Sequence, residues 1–98
     1  MIDGTYKIGV DVLFGHKEGT VTLRSEGDKA IADLDAPIIG KRHVEGKLEG
    51  DSFTMRGSGK IKLVGEVEFT LKGVVEGDNL HISIDSNKGE FKFEGVRI

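Results

Sequence analysis

From Tyr6 onward the apolar residues fall on every second position: Tyr6, Ile8, Val10, Val12 and Phe14. That is the period of a strand with one buried face, because successive side chains of a pleated chain point to opposite sides, whereas a helix repeats about every 3.6 residues. The same beat returns as Val21 and Leu23, then Ala30, Ala32 and Leu34, then Val44 and Leu48. It continues through Phe53, Met55, Ile61 and Leu63, through Val67, Phe69, Leu71 and Val75, through Leu80, Ile82 and Ile84, and ends at Phe91 and Phe93. No window keeps a helical period for three turns. The pattern predicts about eight strands at roughly 12 residues per strand plus turn, the spacing of an all-β sandwich or barrel.

The breaks between these runs carry turn chemistry. The tripeptide Glu-Gly-Asp occurs three times, at Glu26-Gly27-Asp28, Glu49-Gly50-Asp51 and Glu76-Gly77-Asp78, each time where one alternating run stops and the next begins. Gly-Asp tolerates the positive backbone angles of a tight hairpin, so each triplet predicts a turn between neighbouring antiparallel strands. The carboxylates lack the dense Asp/Asn spacing of a calcium loop. Gly15-His16-Lys17 and Ser86-Asn87-Lys88-Gly89 are turn candidates of the same kind. If every connection is a hairpin, the strands form an up-and-down meander, and eight of them can close on themselves and so remove the exposed edges that invite aggregation. The expected fold is therefore all-β: a single domain over residues 1–98, built as a small antiparallel up-and-down barrel of about eight strands. The order of apolar residues, Gly and Gly-Asp in residues 44–53 returns in residues 71–80, a weak repeat of one hairpin unit.

The glycines sharpen this picture. The chain has 15 glycines and one proline, and Gly46, Gly57, Gly59, Gly73 and Gly95 all share the parity of the apolar, inward positions. Glycine weakens a strand, so a set of them on one face means that the sheet bends sharply there or that something approaches the backbone closely. Missing inner side chains also leave volume, and an eight-stranded barrel has an interior that is just filled or holds one small ligand. The candidate ligand-binding residues are Tyr6, Phe53, Met55, Gly57, Phe69, Gly73, Phe91 and Phe93, with the Tyr6 phenol as the one polar group to orient a small, mainly apolar guest. The stretch Ala36-Pro37-Ile38-Ile39-Gly40 breaks the rhythm with two adjacent isoleucines, so Ile38 and Ile39 are candidates for a partner contact or for a plug in one end of the barrel.

Composition narrows the functions. A net charge of −3, with Lys and Arg never clustered, argues against nucleic acid as a partner. No apolar run approaches the roughly 18 residues of a membrane span and the N-terminus lacks the pattern of a leader, so the expected location is cytoplasmic, without membrane insertion, and the chain reads as complete. The absence of cysteine removes disulfides, thiolate metal sites and cysteine nucleophiles. His16, His43 and His81 fall in a turn or on the polar beat, which predicts solvated surface rather than a metal site or a base. Arg56-Gly57-Ser58-Gly59-Lys60 superficially suggests a phosphate loop, but Thr54 stands where its first glycine belongs and no helix follows. With no convergent nucleophile, base and charge stabiliser, and no cofactor motif, the chain is not expected to be a self-sufficient enzyme, and no cofactor is expected.

The opening and closing segments, with Gly4-Thr5-Tyr6, Gly19-Thr20-Val21-Thr22-Leu23 and Gly89-Glu90-Phe91-Lys92-Phe93, resemble a family of small bacterial calycin-like (lipocalin-like) β-barrel domains found alone or beside flavin reductases of the old-yellow-enzyme type. The resemblance implies a calycin-like barrel. It also supplies an alternative to ligand binding: an accessory or oligomerisation domain docking on a flavin-dependent oxidoreductase or on another copy of itself. It assigns no catalytic residue.

Overall fold

The computed structural model describes the backbone of residues 2–12, 15–36, 40–61 and 65–98, and their side chains apart from those of residues 10–12, 15–17 and 61. Eight strands follow in chain order: β1 (Gly4–Val12), β2 (Gly15–Glu26), β3 (Lys29–Ala36), β4 (Gly40–Glu49), β5 (Ser52–Ile61), β6 (Gly65–Glu76), β7 (Asn79–Ser86) and β8 (Gly89–Arg97). Each pairs antiparallel with the next, and β8 returns to β1, so the meander is a closed barrel. Closure leaves no unpaired outer strand for another chain to join.

The three Glu-Gly-Asp sites are two-residue hairpin loops, with Glu26 paired to Lys29, Glu49 to Ser52 and Glu76 to Asn79. Gly27, Gly50 and Gly77 hold φ of 63°, 64° and 64°, the left-handed value that these turns demand at their first central residue and that glycine reaches without a steric penalty. Ser86 and Gly89 close a fourth two-residue turn, in which the Ser86 hydroxyl donates to the Gly89 carbonyl at 2.8 Å. The expected turn at Gly15-His16-Lys17 is corrected: Gly15 pairs with Val12 and His16 with Asp11, so these residues already belong to β2. Phe14 lies outside the described residues, as do Ile38 and Ile39. Ala36 pairs with Gly40, so β3 and β4 are neighbours and the meander continues through them.

Because the strands alternate in direction, the three Glu-Gly-Asp turns and both chain termini gather at one end of the barrel. The interior towards that end is packed by one cluster that includes Ile2, Tyr6, Leu23, Phe53, Met55, Leu71 and Leu80, all 3% exposed or less. Burying each such side chain contributes about 1.5–3 kcal/mol, so this cluster is the main source of stability. Leu34, Phe69, Ile84 and Phe93 pack against the cluster on the side of the opposite end and are only partly buried.

Candidate functional site

The inward glycines are mostly occupied by their neighbours. Phe53 pairs with Gly73 across β5 and β6, and its ring lies where a Cβ on Gly73 would be, with Cζ only 2.2 Å from that point. Gly57 pairs with Phe69, whose Cζ stands 2.9 Å from the Cβ position of Gly57. Gly95 is covered by Ile8 at 2.9 Å, and the Cβ position of Gly46 is filled by the Thr54 carbonyl at 2.0 Å. A glycine on the inner wall is thus the seat for an aromatic ring or a bent backbone from the next strand. Gly59 differs. Among the described residues the nearest atom to its Cβ position is Nη1 of Arg42, 4.0 Å away.

The predicted ligand residues therefore divide into two groups. Tyr6, Phe53, Met55 and Gly73 lie in the packed interior and face one another. Tyr6 is 0% exposed; its hydroxyl donates to the Ile2 carbonyl at 2.8 Å and accepts from Nη2 of Arg97 at 2.6 Å. The Arg97 guanidinium also lies over the Tyr6 ring, 5.2 Å from its centroid, and within 3.6 Å of the Asp78 carboxylate. The one polar group expected to greet a guest instead seals the end where the termini meet. Asp3 reinforces that seal by accepting from the Ser25 hydroxyl and backbone amide, each at 2.7 Å, and these bonds hold its pKa below the ordinary value of 3.8.

Gly57, Phe69, Phe91 and Phe93 belong to the opposite end. Phe93 pairs with Ile82 and Phe91 with Ile84, so both stand on the inward face of β8, yet exposure climbs from 3% at Phe53 to 46% at Phe91. The wall also loosens there. The β4–β5 ladder runs only from Glu49↔Ser52 to Gly46↔Met55, and the β1–β8 ladder only from Tyr6↔Arg97 to Gly9↔Glu94. Beyond Gly46 the two strands continue side by side without that ladder, and Arg42 bridges them by donating from Nη2 to the Lys60 carbonyl at 2.6 Å. Among the described residues this end carries a partly exposed aromatic rim and a gap in the β4–β5 ladder. On the outside, an open groove of about 600 Å³ reaches Gly57 and Phe69 from a polar bank that includes Arg56, Glu68, Asp85 and Asn87.

Arg42 is a residue that the sequence reading missed. It shares the parity of Val44, Gly46 and Leu48 and pairs with Leu34, so extending that beat one step towards the N-terminus places a cation on the inner wall.

The histidines sit on the outer surface where they are described. His81 pairs with the Glu94 carboxylate. His43 stands between Asp33 and Glu45, with Nδ1 and Nε2 each 2.7 Å from a carboxylate oxygen, so a protonated ring donates to both. Its pKa is raised from 6.5, first by Glu45 and then by Asp33. Glu45 is pulled down to about 2, chiefly by Lys29 at 2.5 Å and then by His43. Among the described residues no cluster of His, Asp and Glu is placed to hold a metal ion.

Compared with protein-family models, curated proteins and solved structures, the chain matches none.

Proposed function

We propose that this barrel binds a small, mainly apolar molecule in its mouth, as a calycin-like binding domain. The observation that carries the reading is the gradient of exposure along the inner aromatic face, from Phe53 in the packed interior through half-buried Phe69 and Phe93 to Phe91 at 46%. Apolar side chains on the inward face of a closed sheet are ordinarily buried, and leaving Phe91 exposed with Phe69 and Phe93 only partly covered costs stability that a guest would restore. Gly57 and Gly59 keep the wall beside them thin. The guest would lie across the rim rather than deep in the barrel, since the Phe53 ring fills the space over Gly73.

The docking alternative was expected at Ile38 and Ile39, which lie outside the described residues. Besides Phe91, the large apolar side chains that stand exposed among the described residues are Val96 and Ile98, at 54% and 71%. Val96 stands on an outward position near the end of β8 and Ile98 just beyond that strand, both at the sealed end, whereas Phe91 lies near the start of β8 on an inward position at the opposite end, so the three do not form one patch. Fluorescence titration with the neutral probe N-phenyl-1-naphthylamine tests the reading. Saturable enhancement is expected with the native protein, weakened in Phe91→Ser and in Gly57→Val and retained in Val96→Ser. Absence of saturable enhancement, or equal binding by all variants, overturns it, and a dimer mass by light scattering that reverts to monomer in Phe91→Ser would favour docking instead.

A further inference from the structure

Closure leaves no strand of the barrel free along its whole length, yet a segment of β8 lacks a neighbour on one side. Successive residues of a strand turn their N–H and C=O groups in opposite directions. Arg97 donates its amide to the Asp78 carbonyl on the β7 side, whereas Ile98 donates its amide to the Thr5 carbonyl of β1, so the even-numbered residues of β8 face β1. The β1–β8 ladder stops at Gly9↔Glu94, and from Val10 onward β1 pairs with β2 alone. Glu90 and Lys92 therefore turn two amides and two carbonyls to a side where they have no partner strand among the described residues.

The sequence of this segment, Gly89-Glu90-Phe91-Lys92-Phe93, is complementary to itself. Laid antiparallel on a second copy with a two-fold axis at Phe91, Glu90 falls opposite Lys92 of the other copy and Lys92 opposite its Glu90, the reciprocity of an isologous contact. These are the residues whose backbone groups face outward, so both pairs are hydrogen-bonded and four backbone bonds form. Phe91 meets Phe91 at the closer, non-hydrogen-bonded position between them. Gly89 falls opposite Phe93, the combination that β5 and β6 already use at Gly73–Phe53 and Gly57–Phe69, and the Cβ position of Gly89 has no atom within 4 Å. Within one chain the Lys92 ammonium lies 3.8 Å from the Glu90 carboxylate, with the side chains 75% and 59% exposed, so both are free to turn to a second copy. The edges of β4, β5 and β6 at this end are less suited. Pairing β4 with itself about His43 would draw Glu45 from Lys29 and His43, and pairing β5 with itself about Ser58 would set Arg56 against Lys60. The edge of β6 is capped by the Asn87 side chain, which accepts from the Glu68 amide at 3.1 Å and donates to the Glu66 carbonyl at 3.3 Å.

We propose that two copies of this chain associate by pairing residues 89–93 of β8 across a two-fold axis at Phe91, joining their sheets edge to edge. The contact is made by the backbone edge and by the Glu90 and Lys92 side chains, which point away from the barrel interior, so the inference does not rest on a guest in the mouth. A contact of four backbone bonds is small, and the dimer is expected to be weak and concentration-dependent.

The test is sedimentation equilibrium at low salt, up to millimolar protein, of the native chain, Glu90→Lys, Lys92→Glu and the exchanged double variant Glu90→Lys/Lys92→Glu. Each single variant sets like charges opposite each other at both symmetry-related places and is expected to weaken the dimer by about tenfold or more, while the double variant restores it. An equimolar mixture of the two single variants places Lys against Glu at both pairs and is expected to form a mixed dimer although neither variant forms its own. Phe91→Ser keeps the edge and both ion pairs and is expected to remain dimeric, which separates this contact from apolar docking through the ring. A native protein that stays monomeric throughout overturns the inference. So does a dimer that the single variants leave unchanged, a mixture that does not associate, or a Phe91→Ser variant that reverts to monomer.

Discussion

Phe53 and Gly73 occupy one site between them, because the ring stands where a Cβ would have to be. Phe53→Ala removes a nearly fully buried ring and is expected to cost about 3–5 kcal/mol, as such truncations do when the surroundings relax incompletely. Gly73→Ala is expected to cost about 1–3 kcal/mol by overpacking, and removal of the ring relieves that clash, so Phe53→Ala/Gly73→Ala should be more stable than the sum of the two single effects, measured by urea denaturation. Strict additivity would mean that the two positions do not share a site. Gly57→Ala is expected to be milder, since the Phe69 ring at 2.9 Å is half-buried and has room to swing outward. Tyr6→Phe deletes a hydroxyl that joins Ile2 to Arg97 and leaves that buried carbonyl unpaired, a loss of about 1–3 kcal/mol in the same measurement.

At the scale of elements, the hairpins and the outer face of β3 and β4 each depend on a local device. Gly50 has a φ of 64° and nothing within 4 Å of its Cβ position, so Gly50→Ala is penalised by backbone strain alone, about 1–2 kcal/mol, without any clash. Ile31 points outward from β3 yet is only 4% exposed, because its cross-strand neighbours Arg24 and Glu45 lie over it. Long charged side chains cover apolar surface with their stems, and here their heads are tied by Lys29, Asp33 and His43. His43 has its folded pKa raised above 6.5, so its contribution is fully present below that pH and is lost as pH rises through the raised value. Glu45 behaves oppositely: its contribution is present above about 4.5 and is lost as pH falls towards about 2. Thermal unfolding is therefore expected to lose stability from mildly acidic to mildly alkaline pH, and His43→Gln is expected to flatten that slope. A slope identical to that of the native protein would show that the pairs at this solvated face contribute nothing measurable.

Across the whole molecule the two ends of the barrel differ in how firmly they are closed. One holds the termini, the three Glu-Gly-Asp turns and the Tyr6–Arg97 seal; the other holds the half-buried aromatics and the gap in the β4–β5 ladder. Hydrogen exchange follows local opening, so amides of residues 40–45 and 56–60 are expected to exchange faster than those of β1–β2 near Tyr6, and a bound apolar guest is expected to slow them. Uniform protection along β4 and β5 would contradict a seam.

Alternation of apolar residues and the chemistry of Gly-Asp are local properties, and they were enough to determine the strands, three of the hairpins and the up-and-down order, because each depends on a few neighbouring residues. The inward parity of Gly46, Gly57, Gly59, Gly73 and Gly95 was legible for the same reason. Whether those glycines leave a cavity was not, because that depends on register: pairing Phe53 with Gly73 and Phe69 with Gly57 fills two gaps from the neighbouring strand, and no period within one strand states which residue lies across from it. The placement of Tyr6 at the sealed end and of Phe91 at the wet one likewise required the closed barrel, since parity gives a residue's face and not its height. Arg42 belongs between these cases. Its parity was readable in the chain, but only the ending of the β4–β5 ladder at Gly46 lets its guanidinium reach the Lys60 carbonyl across the gap between the two strands.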